Sequence, residues 1–354
     1  MPLIQFDPQS FDLNPREAEA VSEVIFERVF NDSDLAEYHD IETGIEVKTQ
    51  IAFAGRLGLL GKKAEGCTPS EAGPFTLTQK YWEPVLEDFR LSHCQADMDA
   101  LFKIFRKAKR INPDFFDMVG SQEFGVIIAA VEQALIENIH RKVWFNDKTA
   151  KLAANGGVFK AGTDLAYFNS FDGLFKQVAD EVTANKVTLV PITANAGASY
   201  SAQALAADAA LGILEKLVTV ADDRLVAADD AMILVTRSIA DNYRASLRNK
   251  NLGSGYLEVV EEGRPKLLFD GIEVKVRYDW DRYIKTYQDN GTRHNLPHRA
   301  MFTTKSNIPV GTLSAEDLAK LDVFYDKTLK TNIIDAAYTL DAKHLESYMT
   351  VAAY

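Results

Sequence analysis

The chain has 354 residues, 47% hydrophobic and 25% charged, which is typical of a globular protein with a sizeable core. A formal net charge of -12 argues against a protein whose task is to grip nucleic-acid phosphates, although it allows a container that encloses DNA. Cys67 and Cys94 are too few for a disulfide framework. The sequence lacks an apolar run long enough for a membrane span and a signal-peptide pattern, so we expect a protein made and kept in a cytoplasm.

The amino-terminal part of the chain predicts a helix followed by a long hairpin. Residues 14–34 combine a cap-like Asn14, Pro15 and apolar residues at helical spacing, which predicts a helix. Gly44–Gly55 alternates and predicts a strand, and Phe75–Leu91 predicts its returning partner. A hairpin of this length has little of its own domain to cover its apolar side chains, so we expect another chain to cover them.

The hairpin tip, from Gly55 to Phe75, contains Gly-Lys-Lys and suggests a phosphate-binding loop. Such a loop needs a glycine, four residues and then Gly-Lys-Ser/Thr. Arg56 stands where the first glycine is required, and Lys63 stands where the metal-binding hydroxyl is required. An extended segment also follows the loop instead of a helix. A nucleotide site is therefore rejected, and Lys62 and Lys63 are interpreted as solvated or salt-bridged lysines.

The longest amphipathic pattern covers residues 122–145, after a further predicted helix over Met98–Arg110. About twenty helical residues give a rod of roughly 30 Å. The basic end of the pattern, His140 to Lys142, suits the carboxyl end of a helix. The predicted apolar stripe comprises Val126, Ile127, Ala130, Val131, Ala134, Leu135, Asn138, Ile139 and Val143.

The second half of the chain predicts a compact lobe of alternating helices and strands. Asp270-Gly271 is the strongest signal for a hairpin turn. The predicted elements are a loop and short helix over Asn169–Glu181, an Ala-rich helix over Ser201–Leu225, a buried strand over Ala231–Thr236, an amphipathic helix over Ser238–Asn251, strands over Tyr256–Trp280, and a strand and turn over Arg299–Thr312.

In this order the elements resemble the major capsid proteins of tailed bacteriophages, whose Hong Kong 97-type fold encapsulins and herpesvirus capsid floors share. The matching pieces are "GLLGKKAEGC…PFTLTQKYWEP", "FGVIIAAVEQALIENIHRKVW", "FDGLFKQVA", "AMILVTRSIADNYRASLRNKNLGSGYL…LLFDGIEVKV" and "AMFTTKSNIPVGT" through "TVAAY". The resemblance implies an α+β fold with an N-terminal arm over 1–43, an E-loop hairpin over 44–91, a P-domain over 92–184 with its spine helix over 122–145, an A-domain over 185–305, and return strands to the P-domain over 306–354.

The resemblance implies a structural protein that self-assembles, as pentamers and hexamers, into the icosahedral head shell around the double-stranded DNA of a tailed phage or prophage. It would lie in the virion capsid, assemble in the bacterial host cytoplasm, contact DNA non-specifically and use no membrane, metal or cofactor. Scaffolding, decoration and portal proteins are further partners of such shells. No scaffolding extension precedes the arm, which implies a separate scaffold or none, and the Lys–Asn cross-link of the type member does not transfer.

Two other function classes stay open at this point. An encapsulin-like compartment would use the same fold around an enzyme cargo. An enzyme of unrecognised α/β type would need an acid–base or nucleophile constellation, and the sequence presents none.

Several patterns have a chemical and a structural interpretation, and we favour the structural one for each. His294 and His298 have the spacing of a helical metal pair, but Pro297 indicates a loop. Ser199 and Ser201 lack the Gly-x-Ser-x-Gly pattern of a nucleophile elbow, and Ser199 is expected to cap the Ala-rich helix. A solvated helix boundary explains the acidic cluster of Asp222, Asp223, Asp229 and Asp230, and core or interface packing explains Trp82, Trp144 and Trp280.

Overall fold

The computed structural model describes residues 33–45, 48–54, 77–94, 134–135, 137–250, 257–259, 265–313, 322–326 and 331–354. Its helices are α1 (Ser33–Tyr38), α2 (134–135 and 137–145), α3 (Leu174–Thr183), α4 (Ala209–Thr219), α5 (Asp223–Val226), α6 (Arg237–Asn249) and α7 (Tyr278–Tyr287). Within these ranges, no helix has the length and apolarity that a membrane crossing requires.

The strands form three sheets. The strands are β1 (Ile41–Glu42), β2 (Thr49–Ala54), β3 (Leu77–Trp82), β4 (Val85–Cys94), β5 (Thr188–Val190), β6 (Ala231–Thr236), β7 (Leu257–Val259), β8 (Pro265–Phe269), β9 (Ile272–Arg277), β10 (Ala300–Thr304), β11 (Val310–Gly311), β12 (Asp322–Asp326), β13 (Thr331–Ala342) and β14 (Thr350–Ala353). The seven-stranded sheet has the strand order β5-β14-β10-β6-β9-β8-β7. The five-stranded sheet has the order β1-β11-β13-β12, and β4 also pairs with β13. Strands β2 and β3 form a third sheet of two strands.

Strand β6 separates two hydrophobic cores in the described part of the chain. Met232 and Leu234 pack into a core shared with α2, α3, α7 and the five-stranded sheet. Ile233 and Val235 point to the other face and pack with α4 and α6. Because both faces are covered, the strand reads as a continuous apolar run instead of an alternating one. The prediction of a buried strand at this position is confirmed.

The strongest local signals of the sequence are also confirmed. Asp270 and Gly271 have φ values of 48° and 81° and join β8 to β9 in an antiparallel hairpin. Such positive values at both central positions belong to the tight turn that Asp-Gly favours. Helix α6 begins directly after β6, and α3 begins at Leu174 after the loop that contains Gly173.

The predicted returning strand, Phe75–Leu91, is wrong in one respect. It is broken between Trp82 and Val85, where Glu83 and Pro84 separate β3 from β4. Proline has no N–H to donate to a strand ladder, so it ends the pairing of a strand. Strand β3 pairs with β2, whereas β4 pairs with β13 over ten register positions. The chain therefore passes at Pro84 from the hairpin into the five-stranded sheet.

The Ala-rich helix is shorter than predicted. Helix α4 begins at Ala209 because Asp208 lies in the left-handed region at φ 60°, and residues 201–203 and 207–208 form turns. Gln203 in these turns donates its side-chain amide to the carbonyl of His294 at 2.8 Å. This tertiary contact overrides the helix propensity of the alanines. Ser199 caps no helix; its hydroxyl accepts from the backbone of Ala202 in a turn.

Two further corrections concern the ends of predicted elements. Tyr278, Asp279 and Trp280 belong to helix α7 and not to a strand. Asp279 and Asp281 lie in the first turn of that helix, where acidic residues are favoured. Ala134 of the predicted α2 stripe is exposed. The first predicted helix, over 14–34, lies outside the described residues up to position 32, and its last two residues begin α1. The predicted helix over 98–110, the glycine-rich tip and the stripe residues 126–131 also lie outside the described residues.

Candidate assembly surface

The β2–β3 hairpin is the candidate assembly surface, because its two strands pair only with each other among the described strands. Its strands pair from Thr49 with Trp82 to Ala54 with Leu77. Among the described strands, none pairs with either outer edge. A two-stranded hairpin alone is only marginally stable in water, and free strand edges are templates for further pairing. Gln50 and Tyr81 are register partners and both are exposed, Tyr81 to 40%, and the Lys48 ammonium group lies 4.9 Å from the centroid of the Tyr81 ring.

The base of this hairpin is fixed by packing of an aromatic ring on a glycine. Trp82 is 2% exposed and lies against Gly311 of β11. A Cβ atom on Gly311 would lie 2.8 Å from Cε3 of Trp82 and 2.7 Å from Cδ1 of Ile45. Real Cβ contacts are never that short, so this strand position needs glycine for close approach.

We expect Gly311→Ala to lower the free energy of unfolding by about 1–3 kcal/mol, because the added methyl group overpacks the Trp82 site. Gly212→Ala is the matched control. Gly212 lies inside α4 and a Cβ there meets nothing within 4 Å, so helix propensity predicts a gain of up to about 1 kcal/mol. Urea unfolding of both variants measures the difference. Equal stability of Gly311→Ala and the parent would contradict the close approach.

A half-buried polar cluster around Lys80 also holds the hairpin. The Lys80 ammonium group donates to Oε1 of Glu181 at 2.6 Å and to the carbonyl of His344 at 2.5 Å. The hydroxyl of Ser347 donates to Oε2 of Glu181 at 2.7 Å, and Nδ1 of His344 lies 2.8 Å from the same oxygen. Serine and histidine both contact the carboxylate instead of each other, so the cluster is a structural clamp and not a nucleophile–base pair.

The same cluster makes the hairpin base sensitive to acid. Burial alone would raise the pKa of Glu181, but the contacts with His344, Lys80 and Ser347 outweigh it and lower the pKa to about 2. A carboxyl group with a lowered folded-state pKa stabilises the fold above its unfolded pKa. That stabilisation is lost as the pH falls from about 4.5 towards 2.

We expect Glu181→Gln to lower the free energy of unfolding at pH 7, by at most about 3 kcal/mol before solvent screening reduces it. The difference from the parent should shrink as the pH falls from 5 to about 2, since the parent carboxylate then becomes protonated. Glu215→Gln, at an exposed position on α4, serves as the control. Urea unfolding at several pH values tests this, and a difference that stays constant with pH would contradict it.

Glu83 ties the end of the hairpin to strand β13. Its backbone N–H donates to Oδ2 of Asp341 at 2.7 Å, and the Lys343 ammonium group lies 3.1 Å from that oxygen. Burial raises the pKa of Asp341. The Glu83 side chain accepts from Lys48 at 2.5 Å across the hairpin. Lys80, Trp82 and Glu83 together fix the base of the hairpin to α3, β11 and β13.

The described end of α2 supports the hairpin base through β4 and β13. Lys142 pairs with Glu87 of β4, and both side chains are almost fully buried. Burial lowers the pKa of Lys142. Asn138 donates to the hydroxyl of Tyr338 at 2.6 Å. The basic end of this helix therefore contacts buried parts of the protein, whereas the sequence predicted only that basic residues suit the carboxyl end of a helix.

The tryptophans that the sequence predicted as core or interface residues are buried. Trp144 of α2 and Trp280 of α7 are fully buried, and their rings meet edge to face at 4.6 Å. Arg277, 3% exposed, pairs with Asp279 at 2.6 Å. Its guanidinium group lies 4.2 Å from the ring centroid of Tyr38, which attaches α1 to the core. The interpretation of the tryptophans as packing residues is confirmed.

The other candidate site residues occupy structural positions. His298 lies in a loop, where its ring nitrogens contact the Ser238 hydroxyl at 2.7 Å and the Gln203 carbonyl at 2.5 Å. His294 lies in the same loop, 3.8 Å from Asp289. The described part of the chain contains no group of three or more histidine, cysteine or acidic residues placed to hold a metal. Ser199 and Ser201 contact each other at 3.1 Å.

Two residues of the acidic cluster, Asp222 and Asp230, form structural hydrogen bonds. Asp222 accepts from the backbone of Arg224 and caps α5. Asp230 lies 3.1 Å from the hydroxyl of Ser306, which donates to it. Asp223 and Asp229 stay exposed.

The comparisons with known proteins concern this whole arrangement. No family model matches the chain, and no curated protein matches it. A chain of the satellite phage P4 procapsid, solved with its size determination protein, matches at a TM-score of 0.54 and 11% identity, covering 97% of this chain and 92% of that one. A chain from Gordonia phage Cozz matches at 0.50 and 10% identity, covering 91% and 85%.

A chain of the SrpI encapsulin complex from Synechococcus elongatus matches at a lower TM-score of 0.49 and 7% identity, covering 92% of this chain and 88% of that one. At such identities a match establishes the fold and nothing further. The first two matches span nearly the whole of both chains. The chain thus has the mixed helix-and-strand fold of phage capsid proteins, which is the family resemblance that its sequence predicted.

Proposed function

We propose that this chain is the major capsid protein of a tailed phage or prophage, and that many copies assemble into an icosahedral shell around double-stranded DNA. The β2–β3 hairpin carries the proposal. It is anchored at its base by Lys80, Trp82 and Glu83, whereas its outer edges pair with no described strand. A hairpin that is anchored at its base and has unpaired outer edges is suited to lie on a neighbouring copy.

The fold supports the same proposal. Its similarity to a phage procapsid chain extends over 97% of this chain. The domain division follows from it as part of the proposal, with arm, hairpin, P-domain, A-domain and closing strands at the boundaries predicted above. Strand β14 at the end of the chain pairs with β10 and β5, so the closing segment also completes the sheet of the proposed A-domain.

A structural role, not a catalytic one, fits the polar clusters described above. The Glu181 carboxylate, the Lys142–Glu87 pair and Arg277 each hold one element of the fold against another. A net charge of -12 suits a shell that contacts packaged DNA weakly and non-specifically. Scaffolding, decoration and portal proteins are the further partners in the proposal. The site of action is the virion capsid, after assembly in the host cytoplasm.

Electron microscopy of the purified recombinant protein tests the proposal. We expect closed icosahedral particles. Only monomers or small oligomers over a wide range of concentration and salt would contradict it. The contents of particles from the native source then separate the two kinds of shell, since double-stranded DNA supports the phage capsid and a protein cargo would identify an encapsulin-like compartment.

A further inference from the structure

Three loops of the described chain meet around an open cleft of about 1200 Å³. They are residues 153–161, 191–196 and 288–296, and Tyr354 closes one side; we call this the loop cleft. Backbone hydrogen bonds join the loops, from Lys160 N–H to the Tyr287 carbonyl at 2.7 Å and from Ile192 N–H to the Tyr354 carbonyl at 3.0 Å. The cleft is therefore part of the folded structure of one subunit.

A buried arginine fixes the shape of the third loop. Arg299 is 5% exposed and donates to the Leu296 carbonyl at 3.0 Å and to the side-chain oxygen of Gln288 at 2.7 Å. Its guanidinium group also lies 4.4 Å from the ring centroid of Phe175. Leu296 has a φ of 45°, a left-handed conformation that costs energy for a branched side chain. A cleft held in this way needs little reorganisation when it binds.

The lining of the loop cleft combines small apolar side chains with two cations. Ala153, Val158 and Pro191 contribute apolar surface. Lys160 and Arg293 are both exposed at the cleft. Neither forms an ion pair within 4 Å with a carboxylate of the described residues. Asp289 also lines the cleft, where it accepts from Tyr200 at 2.6 Å and interacts electrostatically with Lys160. With two cations against one carboxylate, the cleft offers apolar contact and a net positive charge.

A surface with acidic instead of cationic side chains lies around α5. We call it the α5 ridge; it is formed by Asp223, Val226, Asp229 and Tyr348. Val226 is 42% exposed and Tyr348 is 40% exposed. Asp223 and Asp229 are exposed, and within the described chain neither side chain forms an ion pair. The Arg224 guanidinium group lies 3.8 Å from the ring centroid of Tyr348, which keeps α5 and this tyrosine together.

The cleft and the ridge lie at opposite ends of the seven-stranded sheet. Strands β5 and β14 end at the cleft, where β10 begins after the third loop. Strand β6 begins directly after Asp230, and β14 begins directly after Met349, at the ridge. Since β10 runs antiparallel to β6 and β14, these two ends are separated by the length of a strand. Six residues of β6 correspond to about 20 Å.

We propose that the loop cleft of one subunit receives the α5 ridge of a second copy. Acidic and apolar groups on the ridge complement the cationic and apolar lining of the cleft. Because the two surfaces differ and lie at opposite ends, each copy can use both at once, and such head-to-tail contacts form a ring when the rotation between neighbours closes. The proposal rests on the proposed function and names the contact that joins neighbours within a ring of the shell.

Charge reversal tests the contact. Lys160→Glu with Arg293→Glu makes the cleft acidic, and Asp223→Lys with Asp229→Lys makes the ridge basic. Each double variant places like charges opposite each other, so the yield of sedimenting particles should fall at least about tenfold. The quadruple variant restores opposite charges and should recover most of that yield. Circular dichroism and thermal melting of the soluble subunits check that all variants fold.

Matched controls separate this contact from other causes. Arg248→Glu with Lys266→Glu changes the net charge by the same amount as the cleft variant, at exposed positions on α6 and β8. Lys266 is 3.6 Å from Glu273 in a solvent-accessible ion pair, and loss of such a pair costs about 1 kcal/mol or less. It should assemble like the parent; an equal loss would attribute the effect to net charge and overturn the contact. Parental yield in both double variants, or no recovery in the quadruple variant, would also overturn it. A parent that forms no particles would instead contradict the proposed function.

Discussion

Leu135→Ala is expected to lower the free energy of unfolding by about 2–5 kcal/mol, because it removes buried methyl groups and leaves a cavity. Leu135 is 4% exposed and shares its core with Ile139 and Val143 of the same helix face. Trp144 and Trp280 pack in that core as well. A loss of this size is a large fraction of the stability of a typical domain, so the yield of soluble subunit should also fall.

Leu86→Ala is the matched control, since it removes the same atoms from a side chain that is 69% exposed on β4. It should cost less than about 1 kcal/mol. Urea unfolding of the purified subunits, monitored by circular dichroism, gives the free energy of unfolding of both variants. Equal losses in the two variants would show that the α2 stripe is not part of the core. The proposed role of this helix as the support of the P-domain would then fail as well.

Local signals explain why much of the fold could be predicted from the sequence. The run Ala231–Thr236 is apolar throughout, and Asp270-Gly271 supplies the positive φ values of a tight hairpin. The helix after β6 follows from residues at helical spacing, of which Ile239 and Tyr243 are buried. Each signal depends on a few adjacent residues. The order of such elements was enough to identify the capsid fold, although no single element is specific for it.

The hairpin base could not be predicted in the same way, because its contacts join distant parts of the chain. Lys80 meets Glu181 and the His344 backbone across 101 and 264 residues, and Glu83 meets Asp341 across 258. No spacing rule relates such positions. Gly311 did carry a signal, because a glycine inside a strand marks close approach of another group. Only the fold shows that this group is Trp82.

Removal of the hairpin tip should abolish shell assembly without unfolding the subunit. Ala54 and Leu77 are register partners, so an Asn-Gly dipeptide in place of residues 55–76 can close the hairpin with a tight turn. The base contacts of Lys80, Trp82 and Glu83 are kept in this variant. It should melt close to the parent temperature, because loop length contributes little to stability.

Assembly depends on the tip in this proposal, since the hairpin gains its cover from a neighbouring copy. Gly311→Ala complements the tip variant: it keeps the tip and disturbs the base, so it should lower stability where the shortened hairpin does not. Loss of particles together with a large drop in melting temperature in the tip variant would mean that the tip serves the fold of its own subunit.

Electron microscopy of the parent and the tip variant, at equal concentration and in the same buffer, is the most direct measurement. We expect closed icosahedral particles from the parent and folded, soluble subunits without particles from the variant. Closed particles of the variant at the parental yield would show that the hairpin is not the arm that joins neighbouring subunits.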